Sequence, residues 1–461
     1  MSGNEDERRK RKIPVDNDEG PSPSKKRNEP EVEQEEKVCQ TQANKIIYFK
    51  IINNKEEFDN FQNMNLENCF QPTYTYELFP NEIIHGYKGL KILISLTPKT
   101  FFAHLNIKYS QKLDVNDNLE EIFEKHFKKR YTKDDNIFLS QLYKDNNLEI
   151  QKGTKIYEKD EKIIYNIDIF NDKFEEESYS LQALCTFFID AASFIPLETN
   201  FWGYFLIIEK NKEKGDDIKD NNKNWRTIGF VSYKNFHIEY QKYYTMLSQF
   251  LVLPPYQRKG IGTFLLEQSY KYLFKEDKGC LEITTEDPDI EFILMRDYTI
   301  CKLMVTEKII DSLLNLFKGL YIETKDIYDK FVLNKKEILD ICKKFKLQEN
   351  LITRSFEIIK YGLVANTKEL LKLFEKEKKE KMKKMLDESS FENTKKKRIR
   401  GPFIFFHDEL NYDYKQDYQE QAGIPSDKQV EMLYPEYIAD IEKIIPKVNK
   451  MVSDYKSELG K

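Results

Sequence analysis

The sequence predicts an α/β protein in three parts: an amino-terminal mixed α/β domain, a central domain in which strands and helices alternate around a mostly β core, and a carboxy-terminal helical domain. Three observations predict it. Short β-branched and aromatic runs bounded by turn residues dominate up to about residue 285, apolar residues recur at helical spacing after about residue 303, and 461 residues exceed what one hydrophobic core usually organises.

Taken in order, Met1 to Asn44 is polar, charged and Pro-containing, too poor in large apolar residues to offset the entropy of folding, and reads as a tail. Two basic clusters lie in it, Arg8 to Lys12 and Lys25 to Arg27, at a spacing that suits a bipartite nuclear-import signal; a solvated charge run is the plainer reading. Residues 45–153 form the amino-terminal domain, with strands at Lys45 to Ile52, Lys91 to Leu96 and Phe101 to Tyr109 and helices near Leu119 to Lys129 and Ile137 to Tyr143.

Residues 154–302 form the central domain. Strands are read at Ile163 to Phe170, Tyr204 to Glu209, Thr227 to Tyr233, Tyr244 to Leu253 and Leu281 to Thr285, with helices at Phe174 to Ile189 and Gly260 to Phe274. Residues 303–461 are read as helical, through Glu307 to Leu316, Lys335 to Phe345, Leu351 to Leu363, Lys368 to Met385 and, interrupted by Pro435 and Pro446, Gln429 to Val452.

Charged residues make up 33% of the chain but nearly cancel to a formal charge of −5, which argues against wholesale adhesion to nucleic acid or anionic membrane. No stretch approaches the roughly 20 apolar residues that cross a bilayer, so a soluble protein is expected. The 6 cysteines contain no CxxC pair and the start of the chain lacks a signal-peptide core, which points to a reducing compartment. The five histidines show no metal-ligand spacing, and no metal is expected.

The chemistry concentrates in one segment. Leu247 to Leu253 is an apolar run that meets Pro254 and Pro255, so a paired strand must end there and a turn must follow. After Gly262, the residues Ile261, Phe264, Leu265, Tyr272 and Leu273 fall on one helical face, which sets Gln257, Arg258, Lys259, Gly260, Ile261, Gly262 and Thr263 at a helix amino terminus. Unpartnered N–H groups and the positive end of the helix dipole make such a turn an anion site, and glycine lets a pyrophosphate approach the backbone. A GxG alone also serves ordinary tight turns. The dinucleotide fingerprint fails because Leu265 stands where its third glycine belongs, and no P-loop Gly-Lys-Ser/Thr follows. QxxGxG after an apolar strand is the coenzyme A pattern of the GNAT acetyltransferases.

A second strand end carries Glu286, Asp287, Pro288 and Asp289. A lysine amine, with a pKa of about 10.4, must lose a proton before it attacks a thioester, and Glu286 is the first candidate base, with Asp287 and partial desolvation raising its pKa. Adjacent acids before proline also serve simply to cap turns. Cys280 is a candidate nucleophile for a covalent route, ranked below direct attack because no histidine partner is in view and buried structural cysteine is the commoner fate.

The run SQFLVLPPYQRKGIGTFLLE, followed by ITTEDPD and MRDY, resembles the type B histone acetyltransferase catalytic subunits, a GNAT family acting on free, newly made histones. HGYKGLKILISL, FIDAASFIP, FWGYFLIIEK and TRSFEIIKY are similar to the same family, so the likeness runs from about Lys45 to at least Leu363. It implies a GNAT fold for the central domain and acetyl-coenzyme A as cosubstrate. Backbone groups of Phe250, Leu251 and Val252 would hold the pantetheine arm, Gln257 to Thr263 the pyrophosphate, and Asp289 would lie at the cofactor.

The resemblance further implies Glu286 as general base, Asp287 as its auxiliary, and Asp190 in a position where the family can carry a catalytic glutamate. Lys234, Asn235 and Phe236, with Asn81 and Glu82, would border the histone-tail groove, although ordinary sheet packing also explains Phe236. A WD-repeat histone chaperone is the implied partner, nucleus and cytoplasm the implied compartments, and neither nucleic acid nor membrane a direct partner. Acetylation of another amine, such as a protein amino terminus or polyamine, and a histone-binding scaffold with a decayed site remain as alternatives. The chain after about Phe391 departs from the family pattern.

Overall fold

The computed structural model describes residues 39–148, 153–196, 201–210, 225–395 and 425–459. The basic clusters of the tail lie outside the described residues, as does most of the stretch from Lys395 to the FIFFHDEL run.

The amino-terminal unit is a four-stranded mixed sheet ordered Ile47–Ile51, Lys91–Leu96, Ala103–Lys108, Tyr131–Thr132. Asn54, Asn118 and Asp134 each accept a backbone N–H as N-caps, and so set the starts of its helices Lys55–Gln62, Leu119–Phe127 and Asp135–Asn146.

The central unit is one six-stranded sheet, ordered Cys280–Thr285, Lys242–Val252, Trp202–Lys210's partner Trp225–Glu239, then Trp202–Lys210, Lys162–Asp168 and Thr154–Lys159. Every pair is antiparallel except Lys242–Val252 with Cys280–Thr285, which run parallel and so need the crossover helix Ile261–Lys275 between them. Side chains alternate between two cores: Phe205, Ile207, Ile228 and Val231 pack with the Ile261–Lys275 helix, while Tyr204, Leu206, Ile208 and Phe230 pack with helix Glu175–Phe188 and the amino-terminal unit. Burial on both faces is why these strands read as continuous apolar runs instead of alternating ones.

The fold is therefore a GNAT acetyltransferase fold with an amino-terminal mixed α/β unit and a helical carboxy-terminal region. The amino-terminal unit is bonded to the central sheet: Thr227 donates its N–H to Pro98 and its hydroxyl to Lys99, at 3.0 and 2.8 Å, and the Trp225 indole donates to Leu148 at 3.1 Å.

Two differences from the sequence reading concern the helical region. Ile290–Thr306 is a 17-residue helix, but the periodicity shows none, because ten of its residues are buried and take up well over half of its circumference, including the charges Arg296 and Asp297. The helix expected at Glu307 to Leu316 reduces to Asp311–Leu314, since the longer helix runs through Thr306 before the chain turns. The last two helices, Ser426–Glu442 and Ile445–Leu459, join the main core through Tyr437, Ile441, Val448 and Val452. Pro446 is tolerated because it lies in a first turn, where its missing N–H has no helical partner to lose.

Candidate active site

The site begins where two parallel strands part. Pairing of Lys242–Val252 with Cys280–Thr285 runs from Tyr243 opposite Cys280 to Leu247 opposite Thr285. One last bond, from the Glu286 N–H to the Leu247 carbonyl at 2.8 Å, closes the fork. Beyond it the acidic strand turns away at Asp287, whose φ of 35° is a strained value for a non-glycine residue ahead of proline. Ser248 to Val252 continues alone on that side, while its other side stays paired through Val231 with Phe250, Phe230 with Leu251 and Gly229 with Val252. Half of its backbone polar groups thus face an open edge with no strand beside it among the described residues.

The turn that follows leaves a helix start open to solvent. Gln257 folds back to donate its side-chain amide to the Val252 carbonyl at 2.8 Å, which ties the loop to the end of the strand. Arg258 and Gly260 both have positive φ, 60° and 78°, and Gly260 opens the Ile261–Lys275 helix without any side-chain cap. The first helical N–H groups are therefore presented uncapped at the positive end of the helix dipole. Lys259 reaches back to the Pro255 carbonyl at 2.9 Å, and the exposed Arg258 lies 3.4 Å from exposed Glu291.

The two glycines do different work. A Cβ at Gly260 would meet nothing within 4 Å, so its left-handed backbone, not space, calls for glycine. A Cβ at Gly262 would lie 2.8 Å from the Met295 sulfur and 3.6 Å from Phe250, so Gly262 lets the helix pack against its neighbour Ile290–Thr306 and the open strand. The sequence reading assigned both glycines to phosphate approach; at Gly262 the structure shows a packing reason. Ile261 is buried in the core and Thr263 is partly exposed, so within this loop Ile261 can serve a ligand only through its backbone.

At the fork the Glu286 carboxylate accepts a short hydrogen bond from the Ser248 hydroxyl. Ser248 was not among the sequence candidates, because serine inside an apolar strand carries no signal until its opposite neighbour is known. Glu286 and Asp287 are exposed, so the partial desolvation expected for Glu286 is not supplied by the chain itself. Asp289 caps the Ile290–Thr306 helix, accepting the Phe292 N–H at 2.7 Å. That task is one the sequence reading, which placed Asp289 at the cofactor, did not include.

Asp190 follows helix Glu175–Phe188 in an exposed loop and accepts the Tyr76 hydroxyl at 2.6 Å. Tyr74, stacked edge-on to Tyr76 at 5.9 Å, has its phenol pushed up by burial and then by the charges of Asp190, Asp289 and Glu82.

The residues expected along the histone groove fare differently. Glu82 is held within the chain: one oxygen accepts the Thr75 N–H at 2.8 Å and the other faces the Asn44 amide at 3.4 Å. Its neighbour Asn81 is exposed at φ 54°. Glu82 therefore shapes this loop. Lys234 lies over Trp202 and Phe236, at 5.4 and 4.9 Å, and Asn235 accepts the Thr245 hydroxyl at 2.9 Å. Phe236 is 42% exposed on the outer reach of its strand, which sheet packing does not explain.

Cys280 is buried, and burial pushes its thiol up to about 11. A thiol so rarely ionised near neutrality is a poor nucleophile.

Residues 39–190 match the profile described as histone acetyl transferase HAT1 N-terminus, and residues 150–391 match that of the MOZ/SAS family, which covers more than half of the chain. The chain belongs to the MOZ/SAS family. Within curated proteins its similarity is to histone acetyltransferase type B catalytic subunits. That of Homo sapiens is 30% identical over 285 residues, 58% of this chain and 64% of the relative. That of Candida albicans is 29% identical over 373 residues, 74% of this chain and 83% of the relative. That of Kluyveromyces lactis is 30% identical over 246 residues, 50% of this chain and 61% of the relative. The chain thus spans somewhat under two thirds of the length of the human relative it matches.

Proposed function

We propose that this protein is a histone lysine N-acetyltransferase that uses acetyl-coenzyme A and acts on free, newly made histones. The observation that carries the reading is the fork at Leu247 and Thr285, where an open strand edge, an uncapped helix amino terminus and Glu286 converge. The residues fit the cosubstrate. The free edge of Phe250, Leu251 and Val252 offers amide-type hydrogen bonds to pantetheine, and the turn from Gln257 to Thr263 offers N–H groups to a pyrophosphate.

Acetyl-coenzyme A is the cosubstrate: as the lysine nitrogen forms its bond to the thioester carbonyl carbon, the C–S bond breaks and coenzyme A leaves as the thiolate, which takes up a proton. The chain supplies the proton acceptor: Glu286, held by Ser248 and by its own N–H on Leu247, receives the proton that the amine gives up. Asp287 assists by its negative charge. The buried Cys280 thiol favours this direct route over an acetyl-cysteine.

The resemblance to type B subunits supports a WD-repeat histone chaperone as partner, and the basic tail clusters support passage between cytoplasm and nucleus. The test is transfer of labelled acetyl to free histones, nucleosomes, spermidine and an α-amino peptide in parallel. Free histones should be labelled fastest; preference for spermidine or the α-amino peptide would keep the fold and remove the histone assignment.

A further inference from the structure

The loop after helix Glu175–Phe188 is fixed from several sides. Thr73 and Tyr74 both donate their N–H groups to the Phe187 carbonyl, at 2.9 and 3.0 Å. Gln182 accepts the Ile195 N–H at 2.7 Å, and Gln249, next to Ser248, donates its amide to the Ser193 carbonyl at 2.6 Å. The loop carrying Asp190 is therefore anchored to the strand that carries the fork. Ala191 sits at φ 52°, a left-handed value that L residues rarely adopt and that persists only when held. What holds it is Tyr76: its hydroxyl oxygen accepts the Ala191 N–H, which leaves its proton aimed at Asp190 Oδ1, 2.6 Å away.

This arrangement fixes one oxygen of Asp190 and leaves the other without a hydrogen bond among the described residues. The hydrogen bond to Asp190 is the main reason the Tyr76 phenol is pushed up, so Tyr76 stays a donor at any working pH. Burial and, after it, the charges of Asp190 and Asp289 push the Tyr74 phenol up, and the Gln249 bond to Ser193 ties this loop to the strand beside Glu286.

We propose that Tyr76, contributed by the amino-terminal unit, is a positioning residue that holds Asp190 so that its second carboxylate oxygen binds the ammonium group of the incoming lysine. The inference rests on the histone acetyltransferase reading and assigns Asp190 to substrate binding and Glu286 to proton removal. A lysine enters charged, so a fixed anion at the entrance gathers it, and an exposed partner on a flexible loop would do so less well. The amino-terminal unit then forms one wall of the active site.

The test is steady-state acetylation of a histone-tail peptide by wild type, Tyr76→Phe, Asp190→Asn and the double variant, with thermal midpoints measured alongside. The expected result is a rise of about tenfold in KM for the peptide in each single variant. The rate at saturation, KM for acetyl-coenzyme A and the thermal midpoint should hold, and the double variant should be no worse than Asp190→Asn. Unchanged peptide KM in Tyr76→Phe, additive losses, or losses that track a lowered thermal midpoint would each overturn the positioning role while leaving the acetyltransferase reading intact. A wild type that acetylates no histone or tail peptide would overturn the parent reading and this inference with it.

Discussion

The Ser248 hydroxyl donates to the Glu286 carboxylate at the point where the two parallel strands of the central sheet separate. The bond joins the open strand, along which pantetheine is proposed to lie, to the proposed base, so cofactor position and base position are set by neighbouring residues. Removing the hydroxyl leaves Glu286 free to rotate. Ser248→Ala is expected to lower kcat roughly tenfold, the order of one charge-assisted hydrogen bond, with KM for acetyl-coenzyme A unchanged. Steady-state kinetics on histones checks it; an unchanged kcat would show that Glu286 needs no such tether.

Gly260 and Gly262 should respond to alanine for different reasons. Gly260→Ala is expected to cost about 1 kcal/mol of stability through its positive φ, and Gly260→Asn less, because asparagine tolerates the left-handed region. Gly262→Ala must displace Met295, and Gly262→Ala with Met295→Ala should recover part of the loss. Urea denaturation of the four variants separates the two causes.

His126 makes the fold acid-sensitive. It is buried between helices Leu119–Phe127 and Glu175–Phe188, its Nε2 is 3.1 Å from the Ala183 carbonyl, and burial pushes its pKa down to about 4. An unfolded histidine titrates near 6.5, so the unfolded chain binds a proton first as the pH falls. The neutral-state stability is complete above about pH 6.5 and declines toward pH 4, by about 2 kcal/mol at pH 5. His126→Gln should flatten urea midpoints between pH 5 and 6.5; an unaltered slope would place the sensitivity elsewhere.

Cys280 should be dispensable for chemistry. Cys280→Ala is expected to keep kcat within about threefold, and mass spectrometry of enzyme mixed with acetyl-coenzyme A should find no acetyl on this residue. An acetylated Cys280 that turns over onto histone would replace direct attack with a covalent route.

The last two helices are part of the core. Asn449 stands 2.4 Å from where a Cβ on Gly362 would be, and the Lys456 ammonium is ringed by the carbonyls of Leu314, Phe317 and Gly319 at 2.7–3.0 Å. Truncation after residue 425 should expose helices Glu349–Val364 and Ile290–Thr306 and lower the thermal midpoint by several degrees or more. An unshifted midpoint would show that these helices dock without stabilising.

Much of this site is legible in the sequence because its signals are local. Two prolines end a strand, GxG opens a helix, and Glu286 and Asp287 follow a strand within six residues. What stays hidden depends on contacts between distant segments. Tyr76 lies 114 residues from Asp190, and Ser248 lies 38 from Glu286, so neither pairing leaves a spacing to read. The Ile290–Thr306 helix is hidden for a different reason: ten of its 17 residues are buried, and its more open stripe mixes Met295 and Tyr298 with Glu291 and Lys302, so the apolar pattern has no clear period. Two of its charges, Arg296 and Asp297, face inward, where the Arg354 guanidinium reaches Asp297 at 2.7 Å. Glu82 and Asp289 also have tasks within the chain that the sequence does not announce, since each carboxylate accepts a backbone N–H.

The central claim is that Glu286 is the base for direct transfer to a histone lysine. The measurement is the pH dependence of acetyl transfer to free histones by wild type and Glu286→Gln, with acetyl-coenzyme A binding measured for both. The variant is expected to bind the cosubstrate normally, to lose about 100-fold or more in kcat near neutrality, and to regain rate as the pH rises toward the pKa of the free amine. Equal rates and equal pH profiles for the two proteins would contradict it and move the base to Asp287 or Asp190.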